Sequence, residues 1–80
     1  MVILRKKEVT KNSISYYYKL YDHLKEGVLI YYPKQGTYEV EILAEEDDLD
    51  YPKYRDYAIY KIEQYYLKNN YPEEDLVAWG

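Results

Sequence analysis

The fold is decided by a stretch that reads VLIYYPKQGTYEVEIL at positions 28–43. It contains two runs of β-prone residues, 28–32 and 37–43, and the connection between them begins with Pro33 and ends with Gly36. A short connection with proline near its start and glycine at its end is typical of a hairpin loop. The stretch therefore predicts two antiparallel strands.

A third strand is predicted upstream, because side chains from Ser13 to Tyr21 alternate between two faces: Ile14, Tyr16, Tyr18 and Leu20 lie on one face and the residues between them on the other. Segment 2–9 could add a fourth strand. Its charged centre, residues 5–8, suits an exposed edge, where charge discourages pairing with other molecules, and a frayed segment is the alternative. The core face of the sheet is expected to carry Ile14, Tyr16, Tyr18, Leu20, Val28, Ile30, Tyr38, Val40 and Ile42.

From Asp50 onward the pattern changes to a helical period. Pro52 suits a first helical turn, acidic residues precede it, and the run 68–70 (Lys-Asn-Asn) supplies stop signals. Arg55 interrupts the apolar face of this helix, which carries Tyr54, Ala58, Ile59, Ile62, Tyr65 and Tyr66. The prediction is one α+β domain over residues 1–80. It comprises an antiparallel meander of three or four strands, one C-terminal helix packed on one face, and a short C-terminal turn or tail.

Composition restricts both the chemistry and the core. The 80 residues include no cysteine, which excludes disulfides, thiolate zinc sites and cysteine nucleophiles. Tyrosine occurs 14 times and phenylalanine not at all. Much of the core must therefore be built from rings with a hydroxyl, and each buried hydroxyl needs a partner, since an unpaired one costs about 1–3 kcal/mol.

Charge is distributed unevenly along the chain. Residues 1–38 have a net charge of +4 and residues 39–80 of −8, for a total of −4. This polarity could steer a partner, such as a basic protein, or let two copies of the chain meet head to tail; ordinary solvated charge is the alternative.

Two surfaces remain after the predicted core is assigned. On the sheet face away from the helix, the expected interaction residues are Tyr17, Lys19, Tyr21, Leu29, Tyr31, Glu39 and Glu41. On the outer face of the helix they are Tyr60 and Leu67. Tyrosine is enriched at protein interfaces, and burial of both surfaces in a two-fold homodimer is an alternative.

The C-terminal tail is the third candidate. Pro72 followed by acids predicts a single helical turn carrying Leu76, Val77 and Trp79. Trp79 is expected to fold back and close one end of the core. In the alternative, it anchors a short recognition segment.

The acidic run 45–50 is the densest chemical feature. Its carboxylates Glu45, Asp47, Asp48 and Asp50 could hold a divalent metal or a small ligand, although the glycine and spacing of a calcium loop are missing. Solvation of the loop and charge at the helix N-terminus explain the run without a metal. No cofactor is predicted.

Other functional classes find little support in the residues. The only histidine, His23, has no neighbouring nucleophile, and Ser13 and Ser15 lack the context of a hydrolase nucleophile. Arginine occurs only twice and the isoelectric point is near 4.9, which argues against nucleic-acid binding. No segment has the length of a signal peptide's apolar region or a membrane span, so a cytoplasmic location without membrane contact is expected.

The sequence thus predicts a small non-enzymatic protein-interaction domain. It could act as a binder, as an inhibitor or immunity-like factor, or as an accessory subunit. The alternatives are a small-ligand or metal-binding module and a homodimeric structural protein.

Overall fold

A computed structural model describes residues 1–78 and confirms the predicted α+β fold. One helix packs against a five-stranded antiparallel sheet. Among residues 1–78, no helix has the length and apolar character needed to cross a membrane. The elements are β1 (Val2–Val9), β2 (Ile14–Lys19), β3 (Gly27–Tyr32), β4 (Thr37–Ile42), α1 (Lys53–Lys68) and β5 (Glu74–Val77).

The strand order is β4-β3-β2-β1-β5. Segment 2–9 is neither frayed nor an edge strand, the two alternatives that the sequence left open, because β1 pairs with β2 on one side and, over residues 2–5, with β5 on the other. Val2 and Leu4 are fully buried, and the charged residues that suggested an edge lie farther along the strand. Lys6 forms a salt bridge with Glu73 at the start of the C-terminal segment.

The predicted C-terminal helical turn was also wrong, since residues 74–77 form β5. This segment completes the free side of β1, with Val77 opposite Val2 and Glu74 opposite Arg5. Pairing satisfies the backbone groups of both strands, which outweighs the weak local preference that a proline and nearby acids give to a helix. Trp79, predicted to close the core, lies outside the described residues.

The structure turns β3 the opposite way from the prediction, so that the residues expected in the core and those expected on the exposed face change places. Leu29 and Tyr31, expected on the exposed side, are 0% and 7% exposed and belong to the core. Residues directly opposite on neighbouring strands share a face, and Leu29 lies opposite Tyr16 while Tyr31 lies opposite Ile14. Val28 and Ile30 therefore face the other side, against expectation.

In β4, Tyr38 and Val40 face the core side as predicted, but Ile42 does not. A register irregularity between Val28 and Leu29 places Leu29 opposite Val40 and Val28 opposite Ile42. One extra residue in a strand reverses the alternation beyond it. Ile42 consequently lies on the side away from the helix and is 53% exposed.

Helix α1 begins after Pro52 and ends at Lys68, close to the predicted bounds. Asn69 adopts the left-handed conformation, and its N–H and that of Asn70 bond to carbonyls of the last turn. The predicted helix face packs on the core through Tyr54, Ala58, Ile59, Ile62 and Tyr65. Tyr66 is an exception at 42% exposed, although its ring lies edge-on to Tyr31 with centroids 6.4 Å apart. Arg55, the interruption in that face, is itself buried.

Gly27 begins β3 at a point with no room for a side chain. A Cβ there would lie 2.4 Å from the Ala44 nitrogen, 2.4 Å from the Ile42 oxygen and 2.6 Å from a ring carbon of Tyr18. Gly36 instead needs its left-handed backbone, with φ of 67°, but has open space around it.

We expect Gly27→Ala to destabilise the protein by more than Gly36→Ala, because overpacking of this kind forces backbone to move. The expected loss in free energy of unfolding is about 3 kcal/mol or more for Gly27→Ala and about 1 kcal/mol for Gly36→Ala. Urea denaturation of both variants provides the measurement. Equal losses would contradict the close packing of β3 against segment 42–44.

Candidate functional site

The sheet face away from α1, here called the open face, is centred on Tyr17. Arg5 on β1 lies opposite Tyr17, and its guanidinium carbon is 4.2 Å from the ring centroid. The same guanidinium donates two hydrogen bonds to the Glu26 carboxylate, at 2.7 and 3.1 Å. This contact lowers the pKa of Glu26 and raises the pKa of Arg5. At the centre of the open face, the charge of Arg5 is therefore neutralised by Glu26, and the Arg5 guanidinium is stacked on the ring of Tyr17.

Aliphatic side chains flank this centre on both sides. On one side, Ile3 lies opposite Leu76, which is 55% exposed. On the other side, Val28 lies opposite Ile42. Ile30 adds a partly exposed neighbour on β3. None of these five aliphatic residues was predicted for this surface: Ile3 lies in a segment whose structure was left open, Leu76 was assigned to a C-terminal turn, and Val28, Ile30 and Ile42 were assigned to the core. Val28 is only 3% exposed, whereas Ile42 and Leu76 are more than half exposed.

The polar residues predicted for this region lie toward its rim. The Lys19 ammonium donates to the backbone oxygen of Asp22 at 3.2 Å. Tyr21 is exposed, and its ring stacks on His23 with centroids 6.1 Å apart. The Glu39 carboxylate accepts a hydrogen bond of 2.7 Å from the Tyr32 hydroxyl, and Glu41 is exposed nearby on β4.

The second predicted surface is separate from the first. Tyr60 and Leu67 are 62% and 66% exposed on α1, which lies on the opposite side of the sheet from Tyr17. The structure therefore divides the predicted interaction residues between two surfaces and moves Leu29 and Tyr31 into the core.

The acidic run 45–50 is tied into the fold by its own carboxylates. Glu45 accepts from the Lys25 N–H at 2.8 Å, and Asp48 accepts from the Asp50 N–H at 2.8 Å. The Asp47 side chain is fully buried. Over the described part of the chain, no three histidine, cysteine, aspartate or glutamate residues are grouped so that they could hold a metal ion. The contacts of the run are those of a structural loop.

Asp47 is the centre of a buried polar cluster that sequence reasoning missed. Its Oδ2 accepts a 2.6 Å hydrogen bond from the Tyr18 hydroxyl, which itself accepts from the Ala44 N–H at 3.1 Å. Arg55 Nε lies 3.0 Å from the same Oδ2, a salt-bridge distance, but is not aligned for a hydrogen bond. Arg55 Nη2 donates to the Asp48 backbone oxygen at 2.6 Å. The requirement that a buried tyrosine hydroxyl find a partner was the only signal for this cluster in the sequence.

A second buried group of tyrosines anchors the chain after the helix. The Tyr16 hydroxyl donates to the Pro72 backbone oxygen at 2.7 Å, and the Tyr65 hydroxyl donates to the Asp75 carboxylate. The rings of Tyr16 and Tyr65 are in contact, with centroids 5.4 Å apart. Burial is the main cause that raises the pKa of Tyr16, of Tyr18 and of Tyr65.

Comparisons of the chain with protein-family models, with curated proteins and with solved structures found no match. The function is therefore inferred from the geometry of the open face and its surroundings.

We expect Tyr18→Phe to destabilise the protein by about 1–3 kcal/mol, because it leaves the Ala44 N–H and the Asp47 carboxylate without their shared partner. Tyr32→Phe is the matched control, since it also removes a hydroxyl that donates to a carboxylate but at an exposed site. Its expected effect is within about 0.5 kcal/mol. Thermal melts compare the two, at about 4–8 °C per kcal/mol for a domain of this size. Equal shifts would mean that the Asp47 cluster contributes no more than a surface contact.

Proposed function

We propose that this protein is a small non-enzymatic protein-interaction domain and that the open face is its contact surface. The observation that supports the proposal is the exposure of Ile42 and Leu76 on a sheet face that no described element covers. The opposite face of the same sheet is covered by α1. Ile42 lies on β4 and Leu76 on β5, at the two ends of this face. Exposed aliphatic residues on an uncovered sheet face are a feature of binding surfaces.

The centre of the open face has the chemistry of an interface. Arginine and aromatic side chains are enriched in the buried centre of protein interfaces, whereas unpaired charge there is costly. Arg5 is already paired with Glu26 and already stacked on Tyr17. A partner that covers Tyr17 would bury a charge pair whose geometry is formed in advance.

The rim gives the surface a preference for basic partners. Glu39, Glu41 and Glu74 lie on the two outermost strands of the sheet, β4 and β5. Complementary charge at a rim accelerates association and makes it sensitive to salt. Inhibition or neutralisation of a basic protein would be consistent with this arrangement.

The test compares two double variants, each of which replaces two exposed apolar side chains with serine. We expect Ile42→Ser with Leu76→Ser to abolish binding to a partner that is captured from lysate of the source organism and identified by mass spectrometry. The control, Tyr60→Ser with Leu67→Ser, alters the outer face of α1 and is expected to retain binding. Both variants should melt within a few degrees of the wild type, because all four side chains are more than half exposed.

The contrary result would be loss of binding in the α1 variant and retention in the open-face variant. Molecular mass in solution is measured in parallel. If the wild type is a dimer that the open-face variant dissociates and no other partner is captured, the open face serves self-association instead.

A further inference from the structure

We propose that the outer edge of β4 binds an extended segment of a partner protein in which basic and apolar residues alternate. This inference rests on the proposed protein-binding function and specifies a second contact, made by backbone pairing. It concerns the strand at one end of the sheet, next to the open face.

Strand β4 is an edge strand with one free side. It pairs with β3 only, and within residues 1–78 no other strand or loop pairs with its outer side. Five of its six residues are exposed, and Val40 is partly buried. An edge strand presents a row of N–H and C=O groups that can pair with an added strand.

The opposite edge of the sheet is a poorer template. Strand β5 has four residues, against six in β4. Edge strands are commonly protected by proline, lysine or a bulge. Strand β4 contains neither proline nor lysine, and its irregularity lies at Glu41, so residues 37–40 keep a regular register. Its only charged residues are Glu39 and Glu41.

The two sides of β4 differ in chemistry. Tyr38 and Val40 lie opposite Tyr31 and Leu29 and thus face the core side of the sheet. Glu39 lies opposite Ile30 and faces the open face. Because paired residues share a face, alternate residues of an added strand would meet either the apolar pair or the carboxylates. The first position favours an apolar side chain and the second favours lysine or arginine.

The carboxylates also decide between a foreign segment and a second copy of this chain. The Glu39 carboxylate accepts a hydrogen bond from the Tyr32 hydroxyl. This bond, together with the negative charges of Glu39 and Glu41, raises the pKa of Tyr32. The two carboxylates therefore act on the same hydroxyl at this edge. Pairing two β4 strands would bring four of these carboxylates together, and like charges across strands are destabilising. The occupant that fits is therefore a basic segment of another protein.

The experiment uses a synthetic peptide of alternating valine and lysine, titrated into the isotopically labelled full chain. We expect the amide resonances of β4 to shift and alternate β4 amides to become protected from hydrogen exchange. A peptide of alternating valine and glutamate should leave the spectrum unchanged. Rising salt should weaken the lysine peptide's binding.

Two charge variants test the role of the edge carboxylates. We expect Glu39→Gln with Glu41→Gln to weaken binding of the lysine peptide by about tenfold. The control is Glu8→Gln with Asp22→Asn, which removes two exposed acids elsewhere and leaves the same net charge. It should change the affinity by less than about twofold.

The inference is overturned if the peptide shifts resonances elsewhere than β4, if it does not bind at millimolar concentration, or if both charge variants weaken binding equally. If the Ile42→Ser, Leu76→Ser variant nevertheless loses its captured partner, the proposed function of the open face is retained and only the edge site is refuted. Conversely, the peptide could bind at β4 while the open-face variant still binds its partner. That result would refute the open face as the contact surface and would support the edge site.

Discussion

The hydrogen bond from the Tyr18 hydroxyl to Asp47 is the contact on which the arrangement of this fold depends. Tyr18 stands in the middle strand of the sheet, and its ring fills the core while its hydroxyl reaches the loop before α1. Tyr16, two residues earlier on the same face, reaches the loop after α1 through Pro72. Two neighbouring phenols thus fix both connections of the helix. Phenylalanine would supply the apolar area of these rings but not the hydroxyls that hold the loops.

The same contacts explain why one sheet face stays open. The loop 43–52 and the segment 70–73 are both held toward the core side, so α1 and its connections are confined there. The described chain provides no second layer for the other side. The aliphatic residues around Tyr17 are exposed as a consequence of how the tyrosines fix the helix, and the proposed binding function makes use of that exposure.

The parts of the fold that could be predicted are those with strong local signals. The alternation through Ile14 and Tyr16 indicated a strand with the right face inward, and Pro52 and Asn69 marked the ends of the helix. The run 28–32 is apolar on both faces, so its pattern could not choose between Leu29 and Val28, and only the register with β2 decides. Strand β5 forms by pairing with β1, and a contact between segments so far apart in the chain leaves no local pattern in the sequence.

The candidate site was predictable only in part for the same reason. Tyr17, Lys19 and Glu39 lie on the expected face of the sheet, since β2 and the first part of β4 alternate as predicted. Ile42 was missed because one extra residue in β4 reverses its direction. The Arg5–Glu26 pair joins residues 21 positions apart, and nothing in either local sequence indicates the other.

The central claim is that buried tyrosine hydroxyls hold this fold together, and a tyrosine titration with simultaneous circular dichroism tests it most directly. Burial raises the pKa of Tyr16, Tyr18 and Tyr65 above the ordinary value of about 10. Their contribution to stability is therefore complete below about pH 10 and is lost as the pH rises further, because the unfolded chain releases protons that the folded chain retains. The account predicts that the phenol signals of Tyr16, Tyr18 and Tyr65 are missing from the titration near pH 10 and appear together with loss of the native spectrum. Titration of all 14 phenols near pH 10 with the native spectrum intact would contradict it.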